Sequence, residues 1–174
     1  IYERSRDWPQ AAEIARKLDT GGNGQFTGRR AHYLCEQAVQ APPEQAEDLL
    51  QRALKVAPLA PRPNIELATL RRRAGDAQGA FGILAALARN VPAAIRLLAR
   101  SLAEAAIASG RQEEARAILQ GSYETLPSLD VLEGITALEP DPDAARDWYL
   151  QHLRRGPSLV AVARWRGGVR LAHQ

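Results

Sequence analysis

A four-point spacing recurs along the chain and constrains the fold more than any other feature. Ala46, Leu50, Ala53 and Pro58 return as Ala80, Leu84, Leu87 and Pro92, then as Ala115, Leu119, Ser122 and Pro127, then as Ala145, Tyr149, His152 and Pro157. The intervals are 34, 35 and 30 residues. A partial earlier copy lies at Ala11, Ala15 and Leu18, just after Arg6-Asp7-Trp8. Ahead of the full copies stand short reversal signals: Ala41-Pro42, Gly75-Asp76 and Gly110-Arg111. Each position has a physical task. A small residue early in a helix lets that helix approach its neighbour closely. The residue four later, and the one three beyond it, lie on the same face. Proline at the end stops the helix without breaking an interior bond. Glycine before a polar residue provides the tight reversal between two antiparallel helices.

A period near 34 residues with this pattern is the tetratricopeptide signature. It predicts an all-α fold, a superhelical solenoid of antiparallel helix pairs. Composition agrees: apolar residues make up 45% of the chain and aromatic residues only 5%. A core built mostly of Ala and Leu suits close-packed helices better than strands. Predicted helices run over 9–18, 29–40, 43–56, 63–74, 77–89, 93–109, 112–124, 128–138 and 142–154, with another from 158 onward. Asp141 reads as the cap before Pro142, and residues 20–28 read as a glycine-rich joint. The expected organisation is one solenoid over 1–174: a partial repeat 1–24, repeats at about 27–60, 61–94, 95–129 and 130–157, and a partial repeat 158–174. The register predicts that the chain is a fragment, expected to open at the end of one first helix and to close inside another. Val162, Trp165 and Val169 would then form an uncovered apolar edge, which favours self-association of the fragment.

No catalytic constellation is expected. Gly22, Gly24 and Gly28 lack the preceding strand and the Gly-Lys-Ser/Thr ending of a phosphate loop. His32 and Cys35 share a helix face, but a metal site needs three or four ligands. Glu113 and Glu114 suit the positive end of their helix. Asp141 and Asp143 suit a turn and cap, and His152 and His173 are isolated. The run Phe81 to Ala88 is too short to span a bilayer. One cysteine excludes an internal disulfide framework. The net charge of +3 gathers toward the end, where Arg154, Arg155, Arg164, Arg166 and Arg170 stand without an acidic neighbour from Gln151 onward. Such a stretch fits an acidic partner, an anionic membrane surface or simply a solvated face. Nucleic acid is not an expected partner, since no reading module accompanies it.

The expected function is therefore protein binding. First helices of such pairs line the concave surface, and by spacing the inward residues are Arg62, Thr69, Arg72, Arg73, Arg100 and Glu104. That suggests a groove of basic bias for an acidic helix or extended segment, or arginines that only solubilise the surface. The well-known carboxylate clamp uses Lys and Asn at positions matching Ala31, Cys35, Ile65, Thr69, Arg100 and Glu104, so a chaperone-tail receptor is not expected.

Three segments carry a family resemblance: IYERSRDWPQAAEIARKL (1–18), RRAHYLCEQA (29–38) and DWYLQHLRRGPSL (147–159). With the long first helix of the fourth pair and the short one of the fifth, they resemble the bacterial lipopolysaccharide assembly protein B family. The resemblance implies an adaptor on the cytoplasmic face of the inner membrane, held by an N-terminal anchor that this segment does not include. It implies two partners, the membrane-bound ATP-dependent zinc protease and the lipid A pathway deacetylase whose degradation it promotes. The family's metal sits in a four-cysteine C-terminal module, so no cofactor is expected in this segment, and Cys35 belongs to a helix. Two alternatives stand beside it: a generic tetratricopeptide scaffold for secretion or cell-envelope assembly, and the repeat arm of a glycosyltransferase.

Overall fold

A computed structural model describes residues 2–19 and 24–153. Every regular element among them is helical: α1 (Tyr2–Ser5), α2 (Trp8–Asp19), α3 (Thr27–Gln40), α4 (Pro43–Val56), α5 (Pro61–Arg73), α6 (Ala77–Asn90), a 3-10 turn (Pro92–Ala94), α7 (Ile95–Ser109), α8 (Gln112–Thr125), α9 (Leu129–Ala137) and α10 (Pro142–Leu153). The pairs are α3 with α4, α5 with α6, α7 with α8 and α9 with α10. The chain divides into two compact units, the first ending at Asn90 and the second beginning at Val91. The basic stretch from Arg154 onward, with Trp165 and His173, lies outside the described residues, as does Gly22.

The repeat positions are the core. In α4, Ala46, Leu50 and Ala53 are buried, and so are Ala80, Leu84 and Leu87 in α6 and Ala115 and Leu119 in α8. Burying one such leucine stabilises by about 1.5–3 kcal/mol. In α10, Ala145 is buried while Tyr149 and His152 are half-buried. Within the first unit, α3 packs against α2, α4 and α5. Around it gather Ala11, Ala15, Tyr33, Leu34 and Ala53, and on its other side Cys35, Ala38, Ala46, Leu50 and Leu67. In the second unit, Leu98, Leu102, Leu119, Leu132 and Ile135 are fully enclosed.

The turns behave as their residues require. Gly75 and Gly110 take left-handed backbones (φ 90° and 71°). Asp76 N–H then bonds to Arg71 O at 2.9 Å, and Arg111 N–H to Ala106 O at 2.8 Å, which satisfies carbonyls at the helix ends. Pro43 and Pro142 each open a helix. Asp141 accepts from Asp143 N–H at 3.0 Å, the expected cap. Three helix starts move by two residues from the sequence reading, that of α7 because a 3-10 turn occupies Pro92–Ala94. Helix α3 starts at Thr27, which places Gly28 inside the helix. Asp19 is the reason: its carboxylate accepts from Phe26 N–H (3.1 Å) and Thr27 Oγ1 (2.9 Å), drawing the start of α3 to the end of α2. Helix α5 starts at Pro61, because buried Asn64 donates to Pro58 O (3.0 Å) and Ala60 O (2.9 Å) and locks the entry.

Helices α7 and α9 approach closely at Gly134. A Cβ on Gly134 would meet Ala99 O at 3.1 Å and Ala99 C at 3.2 Å, which are backbone atoms and cannot swing aside. Gly82, inside α6, has open space around it. Gly134→Ala should therefore lower stability by about 1–2 kcal/mol, since crowding outweighs the helix gain. Gly82→Ala should raise it by about 0.5–1 kcal/mol. Urea denaturation of the two variants checks the opposite signs.

Candidate partner-binding surfaces

The residues expected to line a groove fall in both units, four on α5 and two on α7. Arg62 opens α5 and reaches across to α3, where it forms an ion pair with Glu36. Glu36 also faces His32, 3.9 Å away. Thr69 turns its hydroxyl onto Ile65 O at 2.9 Å. Arg72 is half-buried and Arg73 exposed at the end of the helix. On α7, Arg100 donates to Glu104 at 3.0 Å along the same helix. Arg96 lies 3.9 Å from Asp130 of α9. Taken separately, the α5 face of the first unit and the α7 face of the second each carry both signs of charge. Two of the arginines that look unopposed along the chain meet carboxylates, Arg100 four residues on and Arg62 on the adjacent helix.

Two pairs of groove residues do come together. Thr69 and Arg73 line a notch of about 320 Å³ between the α3–α4 turn and the second half of α5. Glu66, one helical turn before Leu70, lines it as well. Sequence reasoning passed over Glu66, although its spacing from Thr69 and Arg73 places all three on one face of α5. In the second unit, the face of α7 around the Arg100–Glu104 pair also carries Leu97, 69% exposed, and Ile107, 49% exposed. A larger recess of about 570 Å³ lies beside the α7–α8 turn, against the end of α9.

The residues tested for chemistry go elsewhere. Cys35 is fully enclosed. His32 sits at the surface, its ring edge-on to Trp8 at 6.1 Å. Trp8 stacks on Tyr33 at the same centroid distance, and Tyr33 donates its phenol to Glu3. Burial, reinforced by that carboxylate, holds the Tyr33 phenol above its ordinary pKa. His152 stacks on Trp148 at 3.8 Å, and its backbone carbonyl accepts from the Tyr123 hydroxyl at 3.1 Å. Glu113 and Glu114 open α8 as expected. Among the described residues, no three His, Cys, Asp or Glu side chains converge as a metal site. No single described helix is long and apolar enough to cross a membrane.

Burial pushes the Cys35 thiol up from 9.0 to about 11; Arg62 opposes this, while Glu66 and Glu36 add to it. The native thiol thus stays protonated where the unfolded one ionises. Its contribution to stability is complete below pH 9 and is lost as pH rises toward 11, at most about 2–3 kcal/mol in total. Between those limits the stability of the protein should fall more steeply than that of Cys35→Ala. Native Cys35 should also resist alkylation at pH 8 and react upon unfolding. Chemical denaturation across pH 8–10.5, with timed iodoacetamide labelling, checks both.

No protein-family model matches the chain, and no curated protein matches it. Among solved structures, the chain is similar to one described as "MamA MSR-1 C2", from a tetratricopeptide-containing protein. The two are 14% identical, with a TM-score of 0.54, over 93% of this chain and 92% of that one. At that identity the likeness concerns the fold: all-α, built of helix pairs of the tetratricopeptide solenoid class.

Proposed function

We propose that this chain is a protein-binding scaffold, and more specifically an adaptor segment of the lipopolysaccharide assembly protein B type. One observation carries the scaffold reading. In each unit the helix pairs use their small and aliphatic residues for packing and leave a row of charged and apolar side chains on α5 and α7 that packing does not consume. Such a row recognises another protein by shape and charge, and nothing in it needs a cofactor.

The adaptor reading is supported by the segments 1–18, 29–38 and 147–159 and by helix lengths. Helix α7 spans 15 residues and α9 only 9, the long and short first helices that accompany that resemblance. On this reading the chain works at the cytoplasmic face of the bacterial inner membrane. It holds the ATP-dependent zinc protease and the lipid A pathway deacetylase together, raising their effective concentration for each other. A generic scaffold for envelope assembly or secretion is the second reading, favoured by the near-complete mutual coverage with a tetratricopeptide protein of 14% identity. The repeat arm of a glycosyltransferase is a third.

The test is capture of the two named partners by the tagged chain, beside a Leu97→Glu/Arg100→Glu variant. Enrichment of both partners by the wild type, reduced about tenfold in the variant, is expected if α7 is in the interface. Failure to enrich either partner would remove the adaptor reading and leave the scaffold.

A further inference from the structure

We propose that the notch beside α5 binds an extended partner segment carrying one basic and one acidic side chain three residues apart, with small aliphatic residues between them. The proposal rests on the protein-binding reading and specifies one surface and its ligand chemistry. The floor is apolar and set by the core, since Ala38, Ala46 and Leu50 are buried. The rim carries Glu66 toward one end and Arg73 at the other.

Neither rim charge is matched by a described residue, and their natural partners are engaged elsewhere. Arg62, four positions before Glu66 on the same helix, pairs with Glu36. Glu47 and Asp76 both pair with Arg71, at 2.5 and 3.3 Å. The Thr69 hydroxyl, between the two rim residues, is committed to Ile65 O. The recess in the second unit makes the contrast. It is larger and lies beside the corresponding inter-helix turn, yet its charges are consumed. Arg116 donates to Leu138 O at 3.0 Å and lies 3.5 Å from Glu139, and Arg111 pairs with Glu114. One cavity is closed electrostatically from within; the other keeps an acid and a base at its edge.

The spacing then selects the ligand. Seven positions along an α-helix advance about 10 Å. An extended polyproline-II segment places residues three apart on one face, about 9 Å from each other. A basic and an acidic side chain at that separation meet Glu66 and Arg73, and the intervening small residues rest over Leu50 and Leu70. Exposed ion pairs each contribute little, so the signature is charge selectivity rather than high affinity.

The experiment is fluorescence anisotropy with end-blocked, labelled peptides Gly-Lys-Ala-Val-Glu-Gly and Gly-Glu-Ala-Val-Lys-Gly. Controls are an uncharged glutamine version and doubly acidic and doubly basic versions. One mixed-charge order should bind about fivefold more tightly than the uncharged peptide. Glu66→Lys should shift preference to the doubly acidic peptide and Arg73→Glu to the doubly basic one, with circular dichroism showing both variants folded. Equal binding of all peptides, binding of none, or variants that keep the wild-type preference would overturn the proposal. The two readings fail separately: loss of protease and deacetylase capture with peptide selectivity intact removes the adaptor role alone.

Discussion

Close approach of helix backbones through small residues is the constraint on which this structure depends. Ala46, Ala80 and Ala115 carry almost no side chain, so the helices that present them can sit near their neighbours. The leucine four residues on then fills the space that remains, and dispersion contacts accumulate at close range. At Gly134 even a methyl group would press on the backbone of α7. An aromatic-poor chain gains a dense interior this way, by bringing backbones together instead of filling gaps with rings.

That economy leaves the polar side chains to do two different tasks. Some fix the joints. Asp19 ties the end of α2 to the start of α3, Asn64 secures the entry to α5, and Asp141 opens α10. Others neutralise one another across adjacent helices, as Arg62 does with Glu36, Arg71 with Glu47, and Arg116 with Glu139. Burial of neutral Cys35 beneath the Arg62–Glu36 pair shows how close such ion pairs come to the core. What remains unpaired after these two tasks marks where recognition can occur. On α5 that remainder is an acid and a base two helical turns apart, over an apolar floor.

The architecture was legible because a repeat states the same packing rule several times. Most helix ends fell within one residue of their sequence-based positions, since proline and glycine punctuate them. Two of the exceptions have a common cause. Gly28 reads as loop by its type, yet lies in a helix because Asp19 caps it from a distance; Pro61 opens α5 because Asn64 reaches back to the preceding turn. A side chain that acts across a gap leaves no periodic trace.

The candidate surface was legible only in part. Spacing along α5 placed Thr69 and Arg73 on one face, and the structure brings both to one notch. The expected basic character did not follow, because charge summed along a chain takes no account of which carboxylate lies opposite. The sequence by itself determined the all-α class, the helix pairs, the core positions and the reversals, all of which are local or periodic properties. Tertiary structure alone decided which charges are spent on one another and which stay at the rim, because ion pairing depends on separations of a few ångströms between residues far apart in the chain.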